Sequence, residues 1–312
     1  MIATITLNPA LDQHITVDGL MVEEANRWVK LRPYAGGKGI DVSRAIHEMD
    51  FLSTAYGFIG GPTGRTLEIL LDEEGVLFSF TPIRNETRTN FIITDTKTVQ
   101  QTRIDSPGPR ITRKEFERFV SKMKAIRPKP DMVVAGGSIP PGVHDTIYYD
   151  IVRDSQGFGV KTILDCSGKG LSEGIKAKPF LIKPNVYEAE QLLGRKLPDE
   201  KAIIRGASEL VDSGIEIVVI SRAKDGLLAV SKEQVIKAVP PTVKIKSTVG
   251  AGDCTVAGLA IKLSGGESLM EACRLASAMG TAAVLTPGTA LCIHRDVKRL
   301  LPKIKVWELP DK

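Results

Sequence analysis

Cysteine is scarce and unarranged in this sequence. The four thiols, Cys166, Cys254, Cys273 and Cys292, form no C-x-x-C pair and no Cys/His metal spacing. In a chain of 312 residues they are expected to be reduced and mostly buried, which excludes a disulfide scaffold and predicts a cytoplasmic setting. No uninterrupted apolar run of about 18 residues occurs, so no membrane-spanning helix is expected. The start, "MIATITLNPALD", lacks a basic segment followed by a long apolar one and does not resemble a signal peptide. Blocks of five like charges are missing too. Lysine and arginine number 42 against 37 acidic residues, and a net charge of +5 spread this evenly does not point to nucleic acid. It does suit an enzyme that handles phosphorylated metabolites. Neither G-x-x-x-x-G-K-[ST] nor G-x-G-x-x-G is present, which removes the two commonest phosphate-loop signatures.

What is present is alternation. Short β-rich apolar runs end in Gly, Pro, Asn or Asp: "ATITLNP" (3–9), "DMVVAGG" (131–137), "KTILDCSG" (161–168), "PFLIKPN" (179–185) and "IEIVVIS" (215–221). Helical patterns lie between them, with Val42, Ala45, Ile46 and Met49, and then Phe116, Phe119, Val120 and Met123, at i, i+3, i+4, i+7. Near-continuous apolar strands alternating with helices predict an α/β fold with a mostly parallel sheet covered on both faces. Ligands bind such sheets beyond the carboxyl ends of the strands. One region breaks the rhythm. "QHITVD" (13–18), "NRWVKLRPYA" (26–35), "RTNFIITD" (88–95) and "VQQTRIDSP" (99–107) alternate polar and apolar residues and predict a small antiparallel accessory sheet. This places a discontinuous lid at 13–35 and 86–107 on a main domain of 1–12, 36–85 and 108–312. Arg27, Arg88 and Asn90 could reach from it over a site, although a solvated sheet face is the plain alternative.

Four short motifs carry possible chemistry, each with a bland reading beside it. In "STVGAGD" (247–253) the strand "VKIKS" is predicted to end at a helix start. Amides of Gly250, Ala251 and Gly252 would converge there as an anion site. Asp253 beside them would repel a phosphate, unless it takes the proton of whatever attacks that phosphate. Helix capping by an acid explains it equally well. "YAGGKGIDVSRAI" (34–46) sets Gly36, Gly37 and Gly39 before an amphipathic helix, with Lys38 as a point charge for a phosphate or polyol. A tight turn with an exposed lysine is the ordinary reading. Asp12 follows the first strand in "LNPALD" and could accept from two sugar hydroxyls, or be a turn acid. Asn185 and Glu188 in "KPNVYEAE" could share a helix face and hold the hydrated Mg²⁺ of a nucleotide, or close a capping box.

The order of these motifs is more specific than any one of them. Asp after the first strand, GGKG before the first helix, N-x-x-E mid-chain and GAGD near the end resemble the ribokinase-like (PfkB-type) carbohydrate kinases over nearly the whole chain. "ETRTNF" (86–91), "GGSIPPGV" (136–143), "LDCSG" (164–168) and "TPGTALC" (286–292) add to the likeness. Within that family the chain is similar to the phosphosugar branch of 6-phosphofructokinases, 1-phosphofructokinases and tagatose-6-phosphate kinases.

The resemblance implies an αβα sandwich and transfer of the ATP γ-phosphoryl group to a sugar-phosphate hydroxyl. Fructose 6-phosphate leads as acceptor, with fructose 1-phosphate and tagatose 6-phosphate behind it. Asp253 would be the base and the Gly250–Gly252 amides the anion hole. Asp12, Gly36 and Gly37 would hold sugar hydroxyls. Arg88, Ser138 and Arg27 would hold the sugar's phosphate, Arg27 coming from the partner in a homodimer clasped through the lids. Lys183, Asn185, Ser221 and Gly226 would border the nucleotide, with Mg²⁺ held through water at Asn185 and Glu188. A K⁺ site at Ser247, Val249, Ala283 and Gly288 completes the implied set.

Four positions depart from the family pattern. Asp41 stands where Asn is usual, Ala25 where the 6-phosphofructokinases carry a phosphate-binding Lys, Ala223 for Gly, and Thr286 where Asn is frequent. Lys38 could compensate for Ala25. A catalytically silent sugar-phosphate or nucleotide sensor is the alternative of a different class, and an intact Asp253 argues against it.

Overall fold

A computed structural model describes residues 1–98, 100–288 and 290–310. Val99, which heads the predicted strand 99–107, and Thr289, inside "TPGTALC", lie outside the described residues. The chain runs β1 (Ile2–Thr6), β2 (Ala10–Val17), β3 (Trp28–Gly36), α1 (Lys38–Glu48), β4 (Ser53–Ile59), α2 (Gly61–Glu73), β5 (Leu77–Phe78), β6 (Thr81–Pro82), β7 (Arg88–Asp95), β8 (Gln101–Ile104) and α3 (Arg113–Ala125). It continues with β9 (Met132–Gly136), α4 (Ile147–Gly157), β10 (Lys161–Asp165), α5 (Gly168–Gly174), β11 (Leu181–Ile182), α6 (Val186–Leu193), α7 (Glu200–Asp212), β12 (Ile217–Ser221), β13 (Leu227–Val230) and β14 (Val235–Val239). The last elements are α8 (Ala251–Ser264), α9 (Leu269–Ala283), α10 (His294–Leu300) and β15 (Lys305–Glu308).

The large sheet has the order β15-β14-β13-β12-β11-β10-β9-β1-β4-β5, with β6 paired to β4. From β4 through β1, β9, β10 and β11 to β12 the pairing is parallel, and β13, β14 and β15 add an antiparallel edge. Successive strand residues serve opposite layers because the side-chain period is two. In β9, Met132 and Val134 share a core with α1, α8, α9 and α10. Val133 and Ala135 share the other core with α3, α4, α5, α6 and α7. This is the two-sided burial that near-continuous apolar strands predict.

The second sheet has four strands in the order β3-β2-β7-β8. Its hairpin partners β2–β3 and β7–β8 are antiparallel, but β2 and β7 pair in parallel, with Asp12 opposite Asn90. The expectation of a wholly antiparallel accessory sheet is corrected at this seam. The reason lies in the large sheet: β1 leads into β2, and β6, parallel to β4 beside β1, leads toward β7. Both strands therefore leave in one direction, and β3 and β8 return.

A second correction concerns "VKIKS". Residues 243–247 form no strand. β14 is already paired on both sides by β13 and β15, so no sheet edge is open to them there. The segment is held instead by a bond from the Lys246 N–H to the Val284 carbonyl at 2.8 Å.

Candidate active site

Parallel strands deliver their carboxyl ends to one side of the large sheet, and charged side chains collect there. Asp165 closes β10 and is buried. Lys38, first residue of α1, donates from Nζ to Asp165 Oδ2 at 2.9 Å, and Lys183 Nζ lies 3.5 Å from Oδ1. Burial alone would raise this carboxyl, but Lys183 and Lys38 outweigh it and hold Asp165 below the usual carboxylate range. Burial likewise opposes the Lys38 charge, and Asp165 and Asp253 together keep its pKa above the ordinary lysine value. No role was assigned to Asp165 from the sequence, where a single acid at a strand end shows no spacing to a partner. The strand end itself was the available signal.

α8 begins against this cluster. Gly250 is its N-cap with φ 79°, a left-handed conformation that glycine adopts without the Cβ penalty. No side chain caps the helix, so the capping alternative for Asp253 is not realised. The first-turn N–H groups have no intrahelical acceptor by geometry. Lys183 Nζ lies 3.6 Å from where a Cβ on Gly252 would stand, which puts an ammonium group over the same turn. Asp253, third residue of α8, is pushed up to about 6 by burial, against the pull of Lys38 and Lys183 and with Asp165 adding to the rise. A half-buried carboxyl poised near neutrality beside two ammonium groups can accept a proton from an alcohol.

Asp12 follows from β1 through β2 and is raised by burial, while Asn90 Nδ2 donates to its Oδ1 at 2.9 Å. Gly36 is required beside it, because a Cβ there would sit 2.5 Å from Asp12 Oδ2. Gly37 turns the chain into α1 at φ 124°. Asp41 is buried on α1, with Arg44 Nη1 donating to its Oδ1 at 3.2 Å. Arg44 is otherwise engaged by the Ala35 carbonyl at 3.1 Å and by Glu74 at 2.6 and 2.8 Å. Burial and the neighbouring Asp253 carry Asp41 well above the usual carboxylate range.

Arg88 and Ser138 meet at Asn8. Arg88 donates from Nε and Nη2 to the Asn8 carbonyl at 3.2 and 2.9 Å and from Nη1 to the Ser106 carbonyl at 2.7 Å. Asn8 Nδ2 donates to Ser138 Oγ at 3.0 Å. Arg27 is exposed and, among the described residues, makes no hydrogen bond or ion pair. It does not join the site of its own chain.

The remaining predicted residues lie around β11, β12 and the turn after α9. Asn185 and Glu188 close a capping box on α6: Glu188 N–H donates to Asn185 Oδ1 at 2.8 Å and Asn185 N–H to Glu188 Oε2 at 2.9 Å. The capping alternative is thus realised, and Glu188 still acts on Lys38 through its charge. Ser221 at the end of β12 bridges to Asn185. Gly226 has φ 80°, and its place could take no Cβ because the Ala238 carbonyl oxygen would lie 1.9 Å away. Val249 N–H donates to Ser247 Oγ at 3.2 Å. The Thr286 hydroxyl lies within hydrogen-bond distance of the Ala283 and Leu291 carbonyls, at 2.8 and 2.7 Å. Gly288 abuts His14 of the small sheet. Arg103 of β8 is a second charge that the sequence reading passed over, and it acts on both Asp12 and Asp253. A cavity of about 280 Å³ between α3 and α4, lined by Phe116, Phe119 and Ile151, contains none of these groups.

The family pattern described as pfkB family carbohydrate kinase matches residues 5–296. A 1-phosphofructokinase of Borreliella burgdorferi is 35% identical over 310 residues, 99% of each chain. An ATP-dependent 6-phosphofructokinase isozyme 2 of Mycobacterium tuberculosis is 38% identical over 299 residues, covering 96% of this chain and 88% of that one. Among solved structures, phosphofructokinase-2 from Escherichia coli in complex with substrates and products superimposes with a TM-score of 0.93 at 34% identity, over 97% of this chain and 98% of the other.

Proposed function

The chain belongs to the pfkB family of carbohydrate kinases, and we propose that it transfers the γ-phosphoryl group of ATP to a ketohexose phosphate, fructose 6-phosphate foremost. The observation that carries this reading is Asp253, half-buried in the first turn of α8, poised near pH 6 and flanked by Lys38 and Lys183. Asp253 takes the proton of the attacking hydroxyl, a role typically worth about 10²–10⁴-fold in rate. Asp12 and the Gly36–Gly37 backbone orient that hydroxyl by accepting from and donating to its neighbours. The Gly250, Ala251 and Gly252 amides, with Lys183 over them, balance charge on the phosphoryl in flight. Positioning and electrostatics of this kind do most of the work in phosphoryl transfer.

Asn185 and Glu188 present oxygen donors, which fit a hydrated Mg²⁺, and Ser221 and Gly226 border the nucleotide beside them. When bound, Mg²⁺ neutralises the nucleotide phosphates. Carbonyls of Val249, Ala283 and Gly288 with the Ser247 hydroxyl suit K⁺; the Ala283 carbonyl accepts from the Thr286 N–H and keeps its second lone pair when the Thr286 hydroxyl donates to the Leu291 carbonyl. Arg88 and Ser138 frame the phosphate already on the sugar.

The small sheet, residues 13–35 and 86–107, acts as the lid and as the clasp of a cytoplasmic homodimer. Its outer face supports this, since Leu31, Phe91 and Ile104 are 42%, 41% and 54% exposed. The partner's lid then brings an arginine at position 27 to the site. A second acceptor, fructose 1-phosphate, is favoured by the 35% identity to a 1-phosphofructokinase across 99% of both chains.

The deciding experiment measures ADP release from Mg-ATP with fructose 6-phosphate, fructose 1-phosphate, tagatose 6-phosphate and plain sugars in parallel, with Asp253→Asn as control. Turnover confined to fructose 6-phosphate and lost in the variant supports the reading. Preference for another phosphosugar replaces the acceptor and keeps the mechanism. No turnover with any of them overturns it in favour of a sensor.

A further inference from the structure

α3 and α4 cover the same core of the large sheet without closing on each other, and the cavity of about 280 Å³ lies in the cleft between them. Its floor is Ile5 of β1 and Val133 of β9, both buried. Phe116, Val120 and Met123, at i, i+4 and i+7 on α3, are only partly buried, because they face this space and not a packed neighbour. Ile151 of α4 stands on the opposite wall. Protein interiors are close-packed, so a space of this size is unusual. An apolar cavity of about 150 Å³ already takes a benzene ring. This one has room for a longer apolar ligand.

One rim of the cleft is charged. Lys129 leads into β9 and Phe158 toward β10, so this rim lies at the amino ends of the strands, away from the carboxyl ends that carry Asp165. Residues 110–129 hold eight lysines and arginines against two glutamates, an excess greater than that of the whole chain. The acids across the cleft are already answered. Asp154 faces Lys124 at 3.4 Å and Arg153 at 3.8 Å, and Asp150 faces Arg153 at 3.4 Å and His144 Nε2 at 3.7 Å. Lys129 has no carboxylate partner among the described residues. Its Nζ lies 3.6 Å over the ring of the half-exposed Phe158 and donates to the Lys124 carbonyl at 3.1 Å. An ammonium group has three donors, so two are left to spare.

We propose that the α3–α4 cleft binds an unbranched medium-chain carboxylate, its alkyl chain in the cavity and its head group on Lys129. The apolar walls offer a polar metabolite no hydrogen bonds, whereas an alkyl chain needs none. The compact Lys129 charge takes the carboxylate in exchange for its contact with the Phe158 ring. The inference is independent of the kinase reading, because no residue of the cleft belongs to that site.

Calorimetry on the full chain tests it with octanoate, decanoate and dodecanoate, each below its micellar concentration. One-to-one binding is expected, with affinity rising roughly fourfold per added CH₂ until the cavity is full. Lys129→Gln should weaken decanoate about 10-fold, the loss of one hydrogen bond between charged groups. Decyltrimethylammonium should bind the wild type at least about 10-fold more weakly than decanoate, by the same arithmetic. Val120→Phe and Ile151→Phe each place a ring in the cavity and should abolish binding, with urea unfolding as the check that each variant is folded. Should one of them fail to fold, the other and the head-group comparison decide. No saturable binding of any of the three carboxylates overturns the inference, and so does undiminished binding in a folded Val120→Phe or Ile151→Phe variant. Equal affinity of Lys129→Gln and wild type, or of the cationic and anionic amphiphiles, does the same. Retention on anionic vesicles without binding of free decanoate also overturns it, and assigns the basic α3 segment to a membrane surface.

Discussion

The Lys38 ammonium sits 2.9 Å from Asp165 Oδ2, on the carboxylate whose other oxygen faces Lys183 at 3.5 Å. Asp165 and Lys183 are 3% and 5% exposed at their side chains. Removing the shared carboxylate leaves a buried ammonium group uncompensated, which typically costs about 3–5 kcal/mol. Asp165→Asn is therefore expected to lower stability toward the lower end of that range, since Lys38 is 36% exposed and remains partly solvated. The midpoint of urea unfolding at an unchanged slope reports it. A loss below about 1 kcal/mol would show that Asp165 is not the anchor of the two lysines.

Asp253 governs the pH dependence. The base works only when ionised, and its pKa of about 6 puts the ionised form above that pH. Activity in kcat/KM is expected to rise between about pH 5 and 7 and to be lost as pH falls through the limb. Because Asp253 interacts with Asp41, the apparent value belongs to the pair. Asp253→Asn should remove about 10²–10⁴-fold of turnover or more while Mg-ATP binding persists. A variant that keeps a tenth of the wild-type rate would exclude Asp253 as the base.

Asp41→Asn is a separate test. Burial and the Asp253 charge hold Asp41 well above the usual carboxylate range, so it stays protonated where Asp253 ionises, and Asp41→Asn should leave the acid limb of kcat/KM in place. Arg44 keeps its bonds to Glu74 and Ala35 in either case, so the fold should be retained. A limb that moves to lower pH would mean that Asp41 is ionised while Asp253 titrates.

Ala223 carries a backbone cost. Its φ is 49°, in the left-handed region that a Cβ makes unfavourable by roughly 1–2 kcal/mol. Glycine would relieve this but adds about 0.4–1 kcal/mol of chain entropy in the unfolded state. Ala223→Gly should come out stabilising by up to about 1 kcal/mol. Destabilisation on chemical denaturation would show that the Ala223 methyl group makes a contact worth more than the strain.

Leu31→Asp probes the clasp. Leu31 pairs opposite Ile15 on the outer face of the small sheet, away from Asp12. The charge should shift the protein to monomer in sedimentation while its secondary structure is unchanged. The acceptor KM should rise in parallel, because the partner's lid no longer completes the site. A dimer of unchanged stability would place the interface elsewhere.

Much of the architecture was legible because it is periodic. Apolar strands such as Met132–Gly136 and the spacing of Val42, Ala45 and Ile46 announce a sheet between two helical layers. The parallel seam between β2 and β7 was not legible, since strand direction depends on what each strand follows in the large sheet. Residues 243–247 looked like a strand by composition, but no sheet edge was open to them.

By itself, then, the sequence determined the local devices. Gly250 ahead of α8, the glycines ahead of α1 and the acid at position 253 are set by neighbours a few residues away, and spacing records them. Only the tertiary structure decided which charges meet. Lys38 and Asp165 are 127 positions apart, and the register of three strands sets the Arg103 charge on the sheet face that holds Asp12. Strand order and register bring such groups together, and no spacing along the chain encodes either.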